Sequence, residues 1–362
     1  MTTVSAGVVR RLGNRATFIP GFEPQRLPAG AKWAFVTRNV PQGKVANTAT
    51  VIGRPPISGD LVLARVERIA QHTRIQLRNG RRSLRYKGDH IVVVYGNRYA
   101  PDQFEAEIPA DLDLCHLVAA GGVAAKAVSK HSRLKWPTTI RPVGLCVDEL
   151  GDIVNLKRFG LGRPIMHEAM PKPVVAVLGT SMNAGKTTAA AALVKGLTAA
   201  GHRVAAVKAT GTGSGNDLWA YEDAGAARTL DFTDAGYPST YKVSKADIQE
   251  CFEHLLSACL ADAEIDVTVV EIADGLLHFE TAELVASDAF ASQVDHVVFA
   301  AGEAMGAAAG VERLRQAGIE PLAVSGVLTA STLAIAEAAA VTGVPILGKN
   351  DLESPRIAKL VG

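Results

Sequence analysis

The hydrophobic and polar positions of this chain follow two different rhythms on either side of about residue 173. Before it, residues 62–69 (VLARVERI), 73–77 (TRIQL) and 90–95 (HIVVVY) combine β-branched content with partial alternation, the pattern of strands. Asn79-Gly80 and Lys87-Gly88-Asp89 stand between them as turn signals. Short strands joined by tight turns are therefore expected, curled into a small barrel or sheet. A helix is expected over residues 114–130, weakened at Gly121-Gly122 by about 1 kcal/mol per glycine. Residues 159–173 gather Gly and Pro without periodicity and read as a connection.

Beyond residue 173 the apolar runs become short and continuous: 174–178 (VVAVL), 203–208 (RVAAVK), 267–272 (VTVVEI), 296–301 (HVVFAA), 322–328 (LAVSGVL) and 344–347 (VPIL). Such runs suit strands covered on both faces of a parallel sheet. Helical stretches at 186–200, 246–261, 281–292, 307–317 and 331–342 alternate with them. Strand and helix in alternation predict a doubly wound, mostly parallel α/β domain. The expected organisation is a smaller, basic, β-rich domain over residues 1–160, a linker over 161–172, and the α/β domain over 173–362.

Composition narrows the class. A chain of 362 residues is long for one core, and 48% hydrophobic against 20% charged residues excludes a disordered polymer. No apolar run approaches the length of about twenty residues that a membrane span requires, so no membrane partner is expected. Arg10, Arg11 and Arg15 precede no apolar core, so a secretory signal is not expected, and four cysteines without a CxxC pair fit a reduced, cytoplasmic setting. The net charge of +2 hides an asymmetry: residues 1–172 carry 26 Lys and Arg against 13 Asp and Glu, and the remainder 12 against 23. Either the halves attract each other, or the basic half also collects an anionic substrate.

The strongest chemical signal is VVAVLGTSMNAGKTT, residues 174–188. A buried strand runs into Gly179, Thr180, Ser181, Met182, Asn183 and Ala184, and Gly185-Lys186-Thr187-Thr188 opens a helix. Main-chain N–H groups of such a loop converge on phosphate oxygens in the field of the helix dipole. Lys186 would reach the β and γ phosphates, the Thr187 hydroxyl would ligate Mg²⁺, and Gly185 lets the backbone come close. The usual pattern places four residues between its first glycine and the Gly-Lys pair, whereas five intervene here. Lys208 ends the second strand, at the sheet edge where open α/β folds collect ligands. Thr210, Thr212 and Ser214 follow as hydroxyl donors. Asp217 reads either as a Mg²⁺ or water-positioning carboxylate or as a helix N-cap. Glu271 ends a very hydrophobic strand, where an acid is expensive to bury unless it holds a metal, and Asp274 is a second candidate.

These segments carry a resemblance. GTSMNAGKTT resembles the G-T-D-T-x-V-G-K-T loop of dethiobiotin synthetases, which has the same five intervening residues. Those enzymes belong to the P-loop group that includes nitrogenase-iron-protein-like ATPases, ParA/MinD ATPases and signal-recognition GTPases. Residues 201–226 are similar to the second strand and following loop of the molybdopterin-guanine dinucleotide biosynthesis adaptor. The resemblance implies that Lys208 contacts substrate and the transferring phosphate, that Glu271 stands where V-E-G-A-G carries its acid, and that the chain forms a homodimer. Residues 1–160 carry no such resemblance.

The N-K-x-D guanine signature is absent, which favours ATP over GTP. In the basic half, Arg74, Arg78, Arg81, Arg82, Arg85 and Lys87 crowd one hairpin, so some would form a positive stripe. Tyr86, Tyr95, Tyr99 and Phe104 are nearby as stacking candidates, but no RNA-binding signature accompanies them, so nucleic acid is disfavoured as a partner. Arg98, in a turn-rich segment, could face a small anionic substrate. The expectation is an ATP- and Mg²⁺-dependent enzyme of kinase or ligase type, with Lys186, Lys208, Glu271 and Asp217 in catalysis. The Mg²⁺ oxygens would come from Thr187, Glu271, Asp217 and Asp274. A nucleotide-dependent switch or adaptor with slow hydrolysis is the first alternative, and a polynucleotide kinase the second.

Overall fold

The computed structural model describes residues 25–49, 54–162 and 172–362. The three N-terminal arginines and most of the expected linker, residues 163–171, lie outside the described residues. Two compact units are present. The first takes in the described residues up to Gly160 together with Thr212–Gly215 and Gly236–Tyr241, and the second takes in Leu161–Gly211, Asn216–Ala235 and Lys242–Gly362.

The first unit is built from β1 (Gln25–Arg26), β2 (Lys32–Trp33), β3 (Asn47–Ala49), β4 (Leu61–Arg68), β5 (Arg74–Gln76), β6 (Arg82–Leu84), β7 (His90–Tyr95), β8 (Arg98–Tyr99), β9 (Phe104–Glu107), β10 (Cys115–Ala119), β11 (Val123–Lys130) and β12 (Thr138–Val147). The sheet closes on itself. In the order β12, β4, β7, β11, β10 and back to β12 every neighbour is paired, antiparallel except for β7 with β11. Closure removes both sheet edges and encloses a small barrel core. Leu61–Ala64 and Ile91–Tyr95 are buried without interruption, so both faces of these strands are covered, which is why their alternation is only partial.

The helix expected over residues 114–130 is instead the antiparallel pair β10–β11. Gly122 sits at φ +109°, and a Cβ on Gly121 would lie 2.1 Å from the Gly213 carbonyl oxygen. The two glycines therefore form a tight reversal that no helix accommodates, and barrel burial overrides the helix preference of the flanking alanines.

The second unit alternates strand and helix: β13 (Val174–Gly179), α1 (Lys186–Ala199), β14 (Val204–Lys208), α2 (Asn216–Asp223), β15 (Arg228–Asp231), α3 (Lys245–Leu260), β16 (Val267–Glu271), α4 (Phe279–Val285), α5 (Asp288–Gln293), β17 (His296–Ala300), α6 (Ala304–Gln316), β18 (Ala323–Ser325) and α7 (Thr332–Thr342). Its sheet runs β15-β14-β16-β13-β17-β18, parallel at every pair. The chain starts at β13 inside the sheet, winds to one edge, returns through β16 and continues to the other edge. That reversal opens a crevice at the carboxyl ends of β13, β14 and β16. The expected strand at 344–347 reduces to one bridge, Ile346 with Val324. The missing member is β15, whose half-buried Arg228 and Thr229 at the sheet edge break the continuous apolar run. The helix expected at 281–292 is divided into α4 and α5 because Ser287 caps α5, its hydroxyl accepting from Phe290 N–H at 3.2 Å. Among the described residues no helix is long and apolar enough to cross a membrane.

Candidate functional site

The site begins where β13 ends. All six residues of β13 are buried. Thr180 continues the pairing by donating its N–H to the Ala300 carbonyl at 3.0 Å, so this amide is already engaged. Asn183 (φ +63°) and Gly185 (φ +97°) then turn the loop through left-handed backbone. A Cβ on Gly185 would also come within 3.0 Å of the Gly326 Cα. The first helical bond runs from Ala189 N–H to Gly185 O at 2.9 Å. The N–H groups of Lys186, Thr187 and Thr188 thus open α1 without an intrahelical partner, at the positive end of its dipole. Lys186 is buried and donates its ammonium to the Ser181 carbonyl at 2.7 Å, folding back over the loop. Burial lowers its pKa, helped by repulsion from Lys208 and opposed by Glu271, Asp274 and Asp217.

Parallel register brings the remaining groups together. Lys208 and Glu271 are Cα partners across β14 and β16, and Val177 of β13 flanks Glu271 on its other side. Glu271 is 1% exposed. Its Oε1 accepts from the Thr187 hydroxyl at 3.1 Å and from the Lys208 ammonium at 3.2 Å, and its Oε2 accepts from the Tyr221 phenol. Asp217, in the first turn of α2, accepts from Thr187 at 3.4 Å and pairs with Lys208. Burial alone would lower the Lys208 pKa, but Glu271 and Asp217 outweigh it and hold the ammonium above its ordinary value. Burial and the Glu271 charge push the Tyr221 phenol up, so it stays a donor.

The donor set can be tested against Mg²⁺. Among the described residues no group of three or more His, Cys, Asp or Glu side chains could hold a metal. The convergence of one hydroxyl and two carboxylates fits instead a cation that arrives on phosphates, since Mg²⁺ takes one or two carboxylates and completes its shell with phosphate and water.

The other candidates fall elsewhere. Among the described residues Asp274 makes no hydrogen bond to the Thr187–Glu271–Asp217 group; burial raises its carboxyl pKa against the pull of His278, Lys186 and Lys208. The Thr210 hydroxyl is occupied by the Ala273 carbonyl at 2.7 Å. Thr212 and Ser214 belong to the first unit, where Thr212 bridges Ser239. Arg98 lies buried on β8, donating to Gln103 Oε1 at 2.8 Å, rather than displayed on a loop.

One participant escapes a sequence reading, Tyr221; its spacing of four from Asp217 places both on one face of α2, which is the signal that could have found it. His278, a helix-start residue by its place in the sequence, stands at the N-cap position of α4, with Nδ1 3.2 Å from Glu280 Oε2 and Nε2 4.0 Å from Asp274 Oδ2. The expected arginine stripe is divided: Arg74, Arg81, Arg82 and Lys87 are exposed, Arg78 bonds the Arg38 carbonyl, and Arg85 is buried. Tyr95 and Phe104, two of the stacking candidates, are also buried.

No family model matches the chain, and no curated protein matches it. Among solved structures it is similar to the signal recognition particle 54 kDa protein of Aeropyrum pernix K1 in complex with GDP, at 22% identity and TM-score 0.38, covering 57% of this chain and 50% of that one. It is also similar to the signal recognition particle receptor FtsY of Elizabethkingia anophelis in complex with GDP, at 15% identity and TM-score 0.36, covering 55% and 64%. The matched region thus spans half to two thirds of those chains.

Proposed function

We propose that the second unit binds a nucleoside triphosphate with Mg²⁺, ATP in first place, and uses its γ-phosphoryl group to modify or activate a small anionic substrate. The observation that carries this reading is the convergence of Thr187, Lys208, Asp217 and Glu271 at the amino end of α1, with Lys186 folded back over the loop. Lys186 exchanges the Ser181 carbonyl for phosphate oxygens, and the free N–H groups of α1 receive the same phosphates. Thr187, Glu271 and Asp217 hold the cation's side of the site. Mg²⁺, when bound, neutralises phosphate charge. Lys208 stays protonated between two carboxylates and presents fixed positive charge where charge develops in phosphoryl transfer. The dethiobiotin synthetase resemblance supports the same placement.

A second reading, a nucleotide-dependent switch with slow hydrolysis, has its own support in the course of the chain. Lys208 and Asp217 bound a loop whose middle, Thr212–Gly215, belongs to the β-rich unit. Calorimetry of the full chain with MgATP and with MgGTP, repeated on Lys186→Ala, tests the site. Heat with one nucleotide that disappears in the variant is expected, and undiminished affinity in the variant refutes the placement. Phosphate release across a panel of carboxylate and hydroxyl acceptors separates enzyme from switch, because only the enzyme is stimulated by an acceptor.

A further inference from the structure

The hairpin β5–β6 inverts the usual hydrophobic order. Along residues 82–85, Arg82 and Leu84 face outward while Ser83 and Arg85 face inward, so the strand exposes a leucine at 50% and buries an arginine to 3%. Nε, Nη1 and Nη2 of Arg85 all lack a hydrogen-bond partner among the described residues. Burial pulls the Arg85 pKa down to about 10, and the one carboxylate that opposes this is Asp89. Asp89 is itself engaged by the Lys32 ammonium and by Tyr86 N–H at 2.9 Å.

A second buried guanidinium lies in the same unit. Arg98 stands over the Phe104 ring at 5.8 Å, and Phe104 packs on His72 with ring centroids 5.6 Å apart. The Arg85 N–H donates to the carbonyl of Thr73, next to His72 in the chain, at 3.3 Å. Burial, then the charges of Arg98 and Arg85, keep His72 neutral, with its pKa down to about 3. An uncompensated guanidinium inside a protein is among the costliest groups to bury, and planar guanidinium forks match carboxylate and phosphate oxygens.

We propose that Arg85 anchors a small-oxyanion site inside the β-rich unit, which takes a carboxylate or phosphate group and does not depend on the glycine loop. The test uses the full chain in Lys186→Ala form, so that phosphate captured at the glycine loop does not contribute. Thermal melts and calorimetry are run with sodium phosphate and, separately, sodium malonate, each against sodium chloride at equal ionic strength. One probe is expected to bind saturably and raise the melting temperature, and the identity of that probe distinguishes phosphate from carboxylate. Arg85→Met is expected to weaken that binding at least tenfold and, in oxyanion-free buffer, to melt higher than its parent because a lone buried charge has been removed. The proposal is overturned if neither probe exceeds chloride, if Arg85→Met binds as its parent does, or if that variant melts lower without oxyanion.

Discussion

Glu271→Gln keeps the size of the side chain and removes its charge, which isolates what the carboxylate contributes. In the wild type both oxygens accept: Oε1 from Thr187 and Lys208, Oε2 from Tyr221. An amide has one acceptor oxygen, so on its other side an NH₂ faces a donor. If that side is Oε1, the NH₂ meets the ammonium; if it is Oε2, it meets the phenol. Lys208 keeps only Asp217 as counter-charge. Charge-assisted bonds are worth about 1.5–3 kcal/mol each, and breaking a buried ion pair costs about 3–5 kcal/mol when nothing replaces it. With Asp217 still in place, a loss of about 2–4 kcal/mol from the second unit follows. Urea unfolding in a Trp33→Phe, Trp136→Phe background reads it directly, because the remaining Trp219 lies on α2 two residues beyond Asp217. Turnover of MgATP is expected to fall roughly 10²-fold as the electrostatic frame is lost. A stability change below about 0.5 kcal/mol, the scale of an ordinary surface substitution, would refute the reasoning.

Gly185→Ala places a side chain at φ +97° and within 3.0 Å of the Gly326 Cα. Strain of about 1–3 kcal/mol should weaken MgATP binding tenfold or more while far-UV dichroism stays unchanged, and equal affinity would count against the loop assignment. Gly310→Ala puts a Cβ 2.1 Å from the ring of buried Phe299. Overpacking of about 1–3 kcal/mol should lower the melting temperature by several degrees; an unshifted melt would show that α6 can move away at no cost. The depressed pKa of His72 makes the protein acid-sensitive. Above pH 6.5 the imidazole is neutral folded and unfolded, so it contributes no slope. Between 6.5 and about 3 only the unfolded chain takes the proton, and stability falls as pH falls, by up to about 1.4 kcal/mol per pH unit from this group. His72→Gln should show a flatter acid limb than wild type in urea titrations, and superimposable limbs would contradict the burial of a neutral imidazole.

The legible parts of this molecule are those in which residue type and position carry the same message. A continuous apolar run ending in Gly179 and a Gly-Lys-Thr-Thr helix start could hardly be anything but β13, the loop and α1. Glu271 was legible because an acid closing an apolar strand contradicts its surroundings, and here the contradiction is resolved by three donors. Residues 114–130 misled because alanine and leucine suit a buried strand as well as a helix, and the deciding fact, the reversal at Gly121-Gly122, is tertiary. β15 was hidden because an edge strand needs little hydrophobicity. Arg85 was hidden for a different reason: alternation over residues 82–85 is perfectly regular, but hydrophobicity assigns its two faces the wrong way round. Departures of that kind concentrate where function overrides local consistency.

The groups around the glycine loop also differ in how they are held, and the difference separates the movable from the fixed. Lys208, Asp217, Glu271, Thr187 and Tyr221 are mutually bonded, two carboxylates facing one ammonium and two hydroxyls. Such a frame is preorganised, and little reorganisation remains to be supplied when charge arrives. Lys186 is held otherwise, by the neutral carbonyl of Ser181, a bond worth no more than a few kcal/mol that phosphate oxygens can readily replace. Removing Lys186 should therefore cost affinity and leave stability nearly untouched, whereas removing Glu271 should cost stability first and turnover with it. If both substitutions lowered stability alike, Lys186 would belong to the frame, and the loop would lose its only ammonium free to change partners.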